Sequence, residues 1–373
     1  MSKRILVTST DLMMVQFLVP HIVNLAAHGY EVEIACSDVG GRIEEIRSRL
    51  KGSIKAFHVV RLHRSPVSPG NFKGYGDMKK VINEGHYDII WTNEPVMGVV
   101  TRLAAKKSRK NGTKVLYMTH GFHFYDGAPK LNWMIYYPIE KLMASKADMI
   151  ATINHEDYRR AKTMKCSRVE YIHGIGMNTD RLKQKENQKN IREELQIPRD
   201  SFLVLSVGEL NENKNQQTII RAISILHDAK VHYILCGKGD QFPALEKMAS
   251  DLGLEQNVHF LGYRKDVVDI CSQSDVFVMP SRREGLGLAA LEAMYCGLPL
   301  ITSRTRGFED FMEEGKTGYL CDSEDADAFA GKIRKLKEDA ELCNQMGEHN
   351  REVVKPFCLE HSKTEVLNII ESL

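Results

Sequence analysis

The sequence predicts an α/β protein of two Rossmann-like domains, each built on a parallel sheet and facing one another. Three observations carry this expectation. Short β-branched runs alternate with helical stretches along the chain, the pattern of βαβ units and buried parallel sheets. Such runs occur in comparable number in the two halves. A chain of 373 residues also exceeds what one hydrophobic core usually serves.

Taken in order, the first half offers "RILVTST", "EVEIACS", "AFHVVRL", "YDIIWTN", "KVLYMTH" and "DMIATIN" as strands. Helical segments lie between them, among them "MVQFLVPHIVNLAAHG" and "GVVTRLAAKKSRKNG", the second closed by a glycine. The second half offers "FLVLSVGEL", "VHYILCGKGD", "VHFLGY", "DVFVMPS", "LPLITSR" and "TGYLCD", again separated by helices. Two glycines and a polar run in "YIHGIGMNTDRL" interrupt the pattern and place a hinge there. The expected domains are therefore 1–178 and 179–355, with a last helix over about 356–373, after Pro356, packing back on the first.

Bulk composition narrows the function classes. Hydrophobic residues make up 43% and charged residues 27%, as in ordinary globular proteins. No apolar run approaches the roughly 18–20 residues that span a bilayer, and "MSKRILVTST" enters a strand without a signal-peptide pattern. Eight singly placed cysteines without a CxxC read as reduced thiols, so a cytoplasmic location is expected. Residues 1–180 carry 26 Lys and Arg against 17 Asp and Glu, whereas the remainder carries 25 against 32. A basic first half suits phosphates or anionic lipid headgroups. Nucleic acid is not expected, because no basic–aromatic module appears.

Ligands of doubly wound sheets sit beyond the carboxyl ends of the strands, so motifs there carry functional weight. "SRREGLGLAALEAMYCGLP" follows the strand "DVFVMPS". Glu284 falls in the loop, Gly285 and Gly287 remove Cβ atoms where a ligand would come close, and Leu286 lies between them. A helix starting near Leu288 presents free N–H groups to an anion such as a diphosphate. Glu292 lies one turn on, leaning back toward that end, where it can reach ribose-like hydroxyls. Leu288, Leu291 and Tyr295 are expected to face the core. Dipole preference alone explains one glutamate here; two carboxylates and two glycines at a strand end point to a site.

"LSVGELNENKNQQTI" is a second strand-end loop, with Gly208 and Glu209, and Lys214 expected to open the next helix. A cation is disfavoured there by the dipole, which fits a diphosphate ligand. "CGKGD", from Gly237, permits close backbone approach but is not a GxGxxG fingerprint, and "LGYRKDV" offers Tyr263 and Arg264 to a base or phosphate. In the first half, "YMTHGFHFYDGAPK" follows a strand and places His120 beside Gly121. His120 and His123 have no third ligand at a suitable spacing, so no metal is expected. "DAD" at Asp325 to Asp327 reads as a solvated helix cap.

These residues carry a resemblance. "EGLGLAALE" is similar to the E-x7-E signature of family 4 retaining glycosyltransferases of the GT-B fold, and "VGELNENKN", "CGKGD" and "LGYRKDV" follow in that family's order. "TKVLYMTHGFHFYDGAPKLNWMIYYPIEK" resembles the subgroup that builds bacterial exopolysaccharide and capsule repeat units. The resemblance covers essentially the whole chain. It implies two Rossmann-like domains facing across a cleft: a first that takes the acceptor and a second that takes the nucleotide-sugar donor. Glu284 would meet the donor sugar, Glu292 the ribose and His120 the transferred sugar. Lys214 would neutralise the diphosphate, helped by amides around Gly287 and Leu288. Glu209 stands where the family usually has Arg, and "TSTDLMMVQF" replaces its glycine-rich first loop.

The implied activity is metal-independent, retaining transfer of a hexosyl or N-acetylhexosaminyl group. No cofactor is implied beyond the donor, a UDP-sugar, and the acceptor would be a lipid-diphosphate-linked sugar or polysaccharide precursor. "PKLNWMIYYPIEKLMASK" mixes Trp133, Tyr136, Tyr137 and Met143 with lysines, suiting peripheral contact with the anionic inner face of the cell membrane. Its plainer reading is a core helix with a basic outer face. A GT-B-like UDP-sugar 2-epimerase and a non-catalytic sugar-nucleotide sensor share the architecture, whereas a dinucleotide oxidoreductase lacks its strand–GxGxxG–helix unit.

Overall fold

A computed structural model of the chain describes residues 2–41, 43–182 and 190–373. The chain divides into two compact units, Met1–Gly176 with Leu359–Leu373, and Met177–Cys358.

The first unit holds β1 (Arg4–Ser9), β2 (Glu31–Cys36), β3 (Ala56–Val59), β4 (Ile89–Asn93), β5 (Lys114–Thr119), β6 (Met149–Thr152) and β7 (Val169–Tyr171). They form one parallel sheet in the order β3-β2-β1-β4-β5-β6-β7. β7 was not among the sequence's candidates: "VEY" is three half-buried residues at a sheet edge, too short to show a period. The inner strands are buried along nearly their whole length, as parallel strands covered on both faces must be, although each includes polar residues such as Thr8, Glu33 and Asn93. The predicted helix "GVVTRLAAKKSRKNG" is broken at Ala105 into Pro95–Ala104 and Lys106–Lys110.

The helix Lys130–Ala144 is attached through a buried polar knot. Arg102, fully buried on the helix Pro95–Ala104, bonds Glu140 at 2.8 Å and lies 4.0 Å over the ring of Tyr117. The Tyr117 hydroxyl donates to the same carboxylate at 2.9 Å. A buried guanidinium needs such partners, since an unpaired charge there is costly. Trp133 and Tyr137 pack on Phe124, and Met143 is buried. The outer face instead carries Leu131, Met134, Ile135, Ile139 and Leu142, all exposed at helical spacing. The aromatics thus anchor the helix, and aliphatic side chains meet solvent. Lys130 and Lys141, both exposed, flank this stripe.

The second unit holds β8 (Phe202–Val207), β9 (Val231–Cys236), β10 (Val258–Gly262), β11 (Val276–Met279), β12 (Leu300–Ser303) and β13 (Gly318–Cys321). Their order is β10-β9-β8-β11-β12-β13, all parallel. The α/β prediction thus holds in both halves. In each sheet the strand order reverses beside the first strand, between β1 and β4 and between β8 and β11. At such a reversal the flanking loops diverge and leave a crevice at the strands' carboxyl ends.

Asp325 caps the helix Ala326–Glu338 by accepting from the Ala328 amide at 2.9 Å. The last helix, Leu359–Glu371, lies in the first unit: Ser362 Oγ donates to the Gly174 carbonyl at 2.5 Å. All eight cysteines are free. Among the described residues, no helix is long and apolar enough to cross a membrane.

Candidate functional site

The crevice of the second unit is bounded by the loops after β8 and β11, and hydrogen bonds tie the two together. The Arg282 amide donates to Asn213 O at 2.8 Å, and Asn213 Nδ2 donates to Arg283 O at 3.0 Å. Asn211 Oδ1 accepts from the Lys214 amide at 3.0 Å, tightening the turn that carries the lysine. Lys214 Nζ then reaches Glu284 Oε1 at 2.6 Å, a pair that is mostly shielded from solvent. Lys214 does not open a helix as expected. The helix begins at Gln217, and the lysine occupies the preceding turn, aimed at Glu284.

Three residues beyond Glu284, Gly287 starts the helix Leu288–Tyr295 with φ of +78° and no side-chain cap. A Cβ on Gly287 would lie 2.5 Å from the Phe308 ring, so this glycine serves both the left-handed turn and the packing beneath it. Ala290, Leu291, Ala293 and Met294 face the core; Leu288 and Tyr295, expected there, are only half-buried. Glu292 is mostly buried and accepts from Arg181 in a short ion pair. Arg306, also buried, directs Nε toward the Glu284 carbonyl at 3.4 Å, behind Gly285 and Leu286.

The remaining predicted positions divide. A Cβ on Gly237 would sit 1.8 Å from the Gly208 carbonyl oxygen. The backbone that comes close at "CGKGD" is thus the chain's own β8 loop. Glu209 is exposed and accepts from Asn211 Nδ2 at 3.0 Å. Tyr263 is exposed, whereas Arg264 is engaged by Asp266 and Glu194, whose carboxylates push its already high pKa further up. Arg264 thus rests in an ion-pair network with these two carboxylates.

In the first unit, the β1/β4 crevice contains a cavity of about 380 Å³, lined by Asp11, Phe17, Arg64, Glu94, His123 and Tyr136 among others. Asp11 caps the helix Leu12–Ala27 through the Met14 amide and pairs with Arg64 at 2.5 Å. Glu94 accepts from Ser9 Oγ at 2.6 Å and from the Thr10 amide at 2.8 Å, and burial pushes its carboxyl up. Its backbone, at φ 65° and ψ 157°, is a region that non-glycine residues enter at a cost. Sequence reading missed Glu94, Asp11 and Arg64, and missed Arg181 and Arg306 in the second unit. "TNEPV", with a proline starting a helix straight after a strand, was the available signal for Glu94.

His120 follows β5, beside Gly121 at φ 122°. Its Nε2 is 2.9 Å from Asn93 Oδ1, at the end of β4. Burial, with a smaller contribution from His21, pushes its imidazole down to about 4, so the ring is neutral near pH 7.

Comparisons with known proteins point one way. Residues 187–353 match the family described as glycosyl transferases group 1, and residues 6–154 match glycosyl transferase 4-like. EpsD of Bacillus subtilis (strain 168), described as a glycosyltransferase by inference, is 35% identical over 99% of this chain and 96% of its own. The Escherichia coli UDP-Gal:alpha-D-GlcNAc-diphosphoundecaprenol alpha-1,3-galactosyltransferase is 25% identical over 84% of this chain and 81% of its own. Anabaena HepE, solved in complex with UDP, superposes with a TM-score of 0.81 over the whole of both chains at 19% identity. At that identity the likeness is one of fold.

The depressed imidazole sets a pH dependence. Below about 6.5 the unfolded chain protonates His120, whereas the folded chain resists until about 4, so stability is lost as pH falls through that window. Urea unfolding midpoints measured from pH 7 to 4.5 should fall in the natural protein and fall less steeply in His120→Gln. Equal slopes would contradict this assignment.

Proposed function

The chain belongs to the family 4 glycosyltransferases of the GT-B fold, and from that premise we propose that it moves a sugar from a UDP-linked donor to a lipid-diphosphate-linked acceptor in exopolysaccharide assembly. The observation that carries this reading is the Lys214–Glu284 pair, set three residues ahead of an uncapped helix amino end. That combination suits the diphosphate of a nucleotide sugar. When the donor binds, its diphosphate competes for the Lys214 ammonium. Glu284 is then released to accept hydrogen bonds from the sugar hydroxyls. Arg181 is well exposed, so its bond to Glu292 costs little to exchange for ribose hydroxyls.

The bond from the anomeric carbon to the diphosphate oxygen breaks, and the acceptor hydroxyl forms the new glycosidic bond. Its proton passes to the departing phosphate oxygen, and attack on the same face retains configuration. Lys214 and the helix amides stabilise the charge that grows on the diphosphate as this bond stretches. Neutral His120 contacts the transferred sugar and donates or accepts a hydrogen bond without adding charge. The first unit takes the acceptor: its β1/β4 cavity offers Asp11, Arg64 and Glu94 to sugar hydroxyls. The exposed aliphatic stripe of Lys130–Ala144, flanked by Lys130 and Lys141, rests on the membrane surface that holds the acceptor's lipid.

The UDP in a structural relative and the undecaprenol diphosphate of the Escherichia coli relative support this choice of donor and acceptor class. A 2-epimerase would isomerise a UDP-sugar with no acceptor present, and a sensor would release no product. With a UDP-sugar and a lipid-diphosphate-linked sugar, Lys214→Ala should lower kcat by about 10²–10³, and Glu284→Ala should abolish transfer without altering the circular dichroism spectrum. Turnover retained in both variants overturns the site assignment. Vesicles containing anionic lipid should bind the natural protein in a salt-sensitive way, and Met134→Glu should bind them less. Salt-independent or absent association removes the membrane contact.

A further inference from the structure

Away from the crevices, two histidines and a glutamate converge where the last helix meets the first unit's edge strand. His361 and Glu365 stand four residues apart on Leu359–Glu371 and so share a face. His173 lies two residues beyond β7. One donor atom from each residue lies within 4.8 Å of the others. Glu365 Oε1 is 2.8 Å from His173 Nδ1 and 3.4 Å from His361 Nε2. We propose that His173, His361 and Glu365 form a divalent-metal site for zinc or a similar first-row ion, which staples the C-terminal helix to the end of β7.

The chemistry of the donor set favours such an ion. Zinc binds imidazole nitrogen and carboxylate oxygen at about 2.0–2.2 Å, so tetrahedral ligand atoms stand roughly 3.4 Å apart. The three atoms need only small side-chain rotations to reach that spacing. Two imidazoles with one carboxylate is a ligand set that leaves a fourth position for water. The carboxylate is already oriented, because Glu365 Oε2 accepts from the His173 amide at 3.0 Å. The backbone beneath is fixed too. Ser362 Oγ holds the Gly174 carbonyl, and a Cβ on Gly176 would lie 2.6 Å from Leu359 Cα, which leaves no room between the segments. His361 is about half exposed, so an ion enters from solvent.

The location suggests what the ion does. The chain leaves the first unit after Gly176 and returns at Leu359, and all three ligands sit within a few residues of these two crossings. An ion here joins segments nearly two hundred residues apart in sequence and holds the returning helix in place. The site uses no residue of the second unit and is independent of the glycosyl-transfer reading.

The full-length protein, stripped with a chelator and dialysed, tests this by Co²⁺ and Zn²⁺ titration. The expected result is one equivalent of Co²⁺ per chain, with visible d–d bands of a nitrogen and oxygen site, displaced by Zn²⁺. Zn²⁺ should also raise the unfolding temperature. In His361→Ala, a substitution at an exposed position, affinity should fall at least about tenfold and the thermal shift should vanish, while the metal-free unfolding temperature stays unchanged. No bound metal, equal binding by His361→Ala, or Co²⁺ bands of thiolate character would overturn the proposal.

Discussion

The contact between Lys214 Nζ and Glu284 Oε1 joins residues seventy positions apart and fixes the geometry of the second unit's crevice. Neither side chain would hold its place alone. A lysine in a shielded turn is drawn to the nearest carboxylate, and a carboxylate beside an uncapped helix end is drawn to the nearest donors. The surrounding framework exists to make them meet. Asn211 and Asn213 shape and tether one loop, Arg306 backs the other, and Gly287 lets the chain turn over Phe308 into its helix. The pair is a charge-balanced resting arrangement, and a diphosphate offers the lysine a better partner than a single carboxylate does.

The same topological device serves the first unit with different chemistry. Its strand order also reverses beside its first strand, but the crevice there sets the carboxylates of Asp11 and Glu94 among apolar side chains, with Arg64 pairing Asp11. Glu94 is kept in a costly backbone conformation by bonds from Ser9 and Thr10, so its carboxyl is aimed rather than loose. His120, half-buried and held by Asn93, contributes a neutral ring. Hydroxyl-rich ligands fit a crevice of this kind better than anions do.

Sequence periodicity disclosed what depends on short-range pattern. The buried inner strands, the helix starting at Leu288 and the family likeness all rest on contiguous residues, and each was legible. The edge strand Val169–Tyr171 was not, because three half-buried residues carry no period. The helix Lys130–Ala144 was read either as a mixture of aromatics and lysines suited to a membrane surface or as a core helix with a basic outer face. Both of its faces are apolar, so composition cannot decide which one Phe124 and the Arg102–Glu140 knot will claim. Gly237 was read as permitting close backbone approach; the backbone it admits is that of Gly208, a neighbour known only once β8 and β9 pair. Arg264, offered by sequence to a base or phosphate, is paired with Glu194 and Asp266, and the Glu194 partner was not legible from the local motif. The Gly208 and Glu194 contacts turn on partners distant in sequence.

The central claim is that Lys214 exchanges Glu284 for the diphosphate of the donor. Calorimetric titration of UDP and of uridine into the natural protein and into Lys214→Met tests it most directly. The account predicts that the substitution weakens UDP binding while leaving uridine affinity unchanged, because only the phosphates reach the ammonium. Equal affinity of both proteins for UDP, or parallel loss for UDP and uridine, would contradict it.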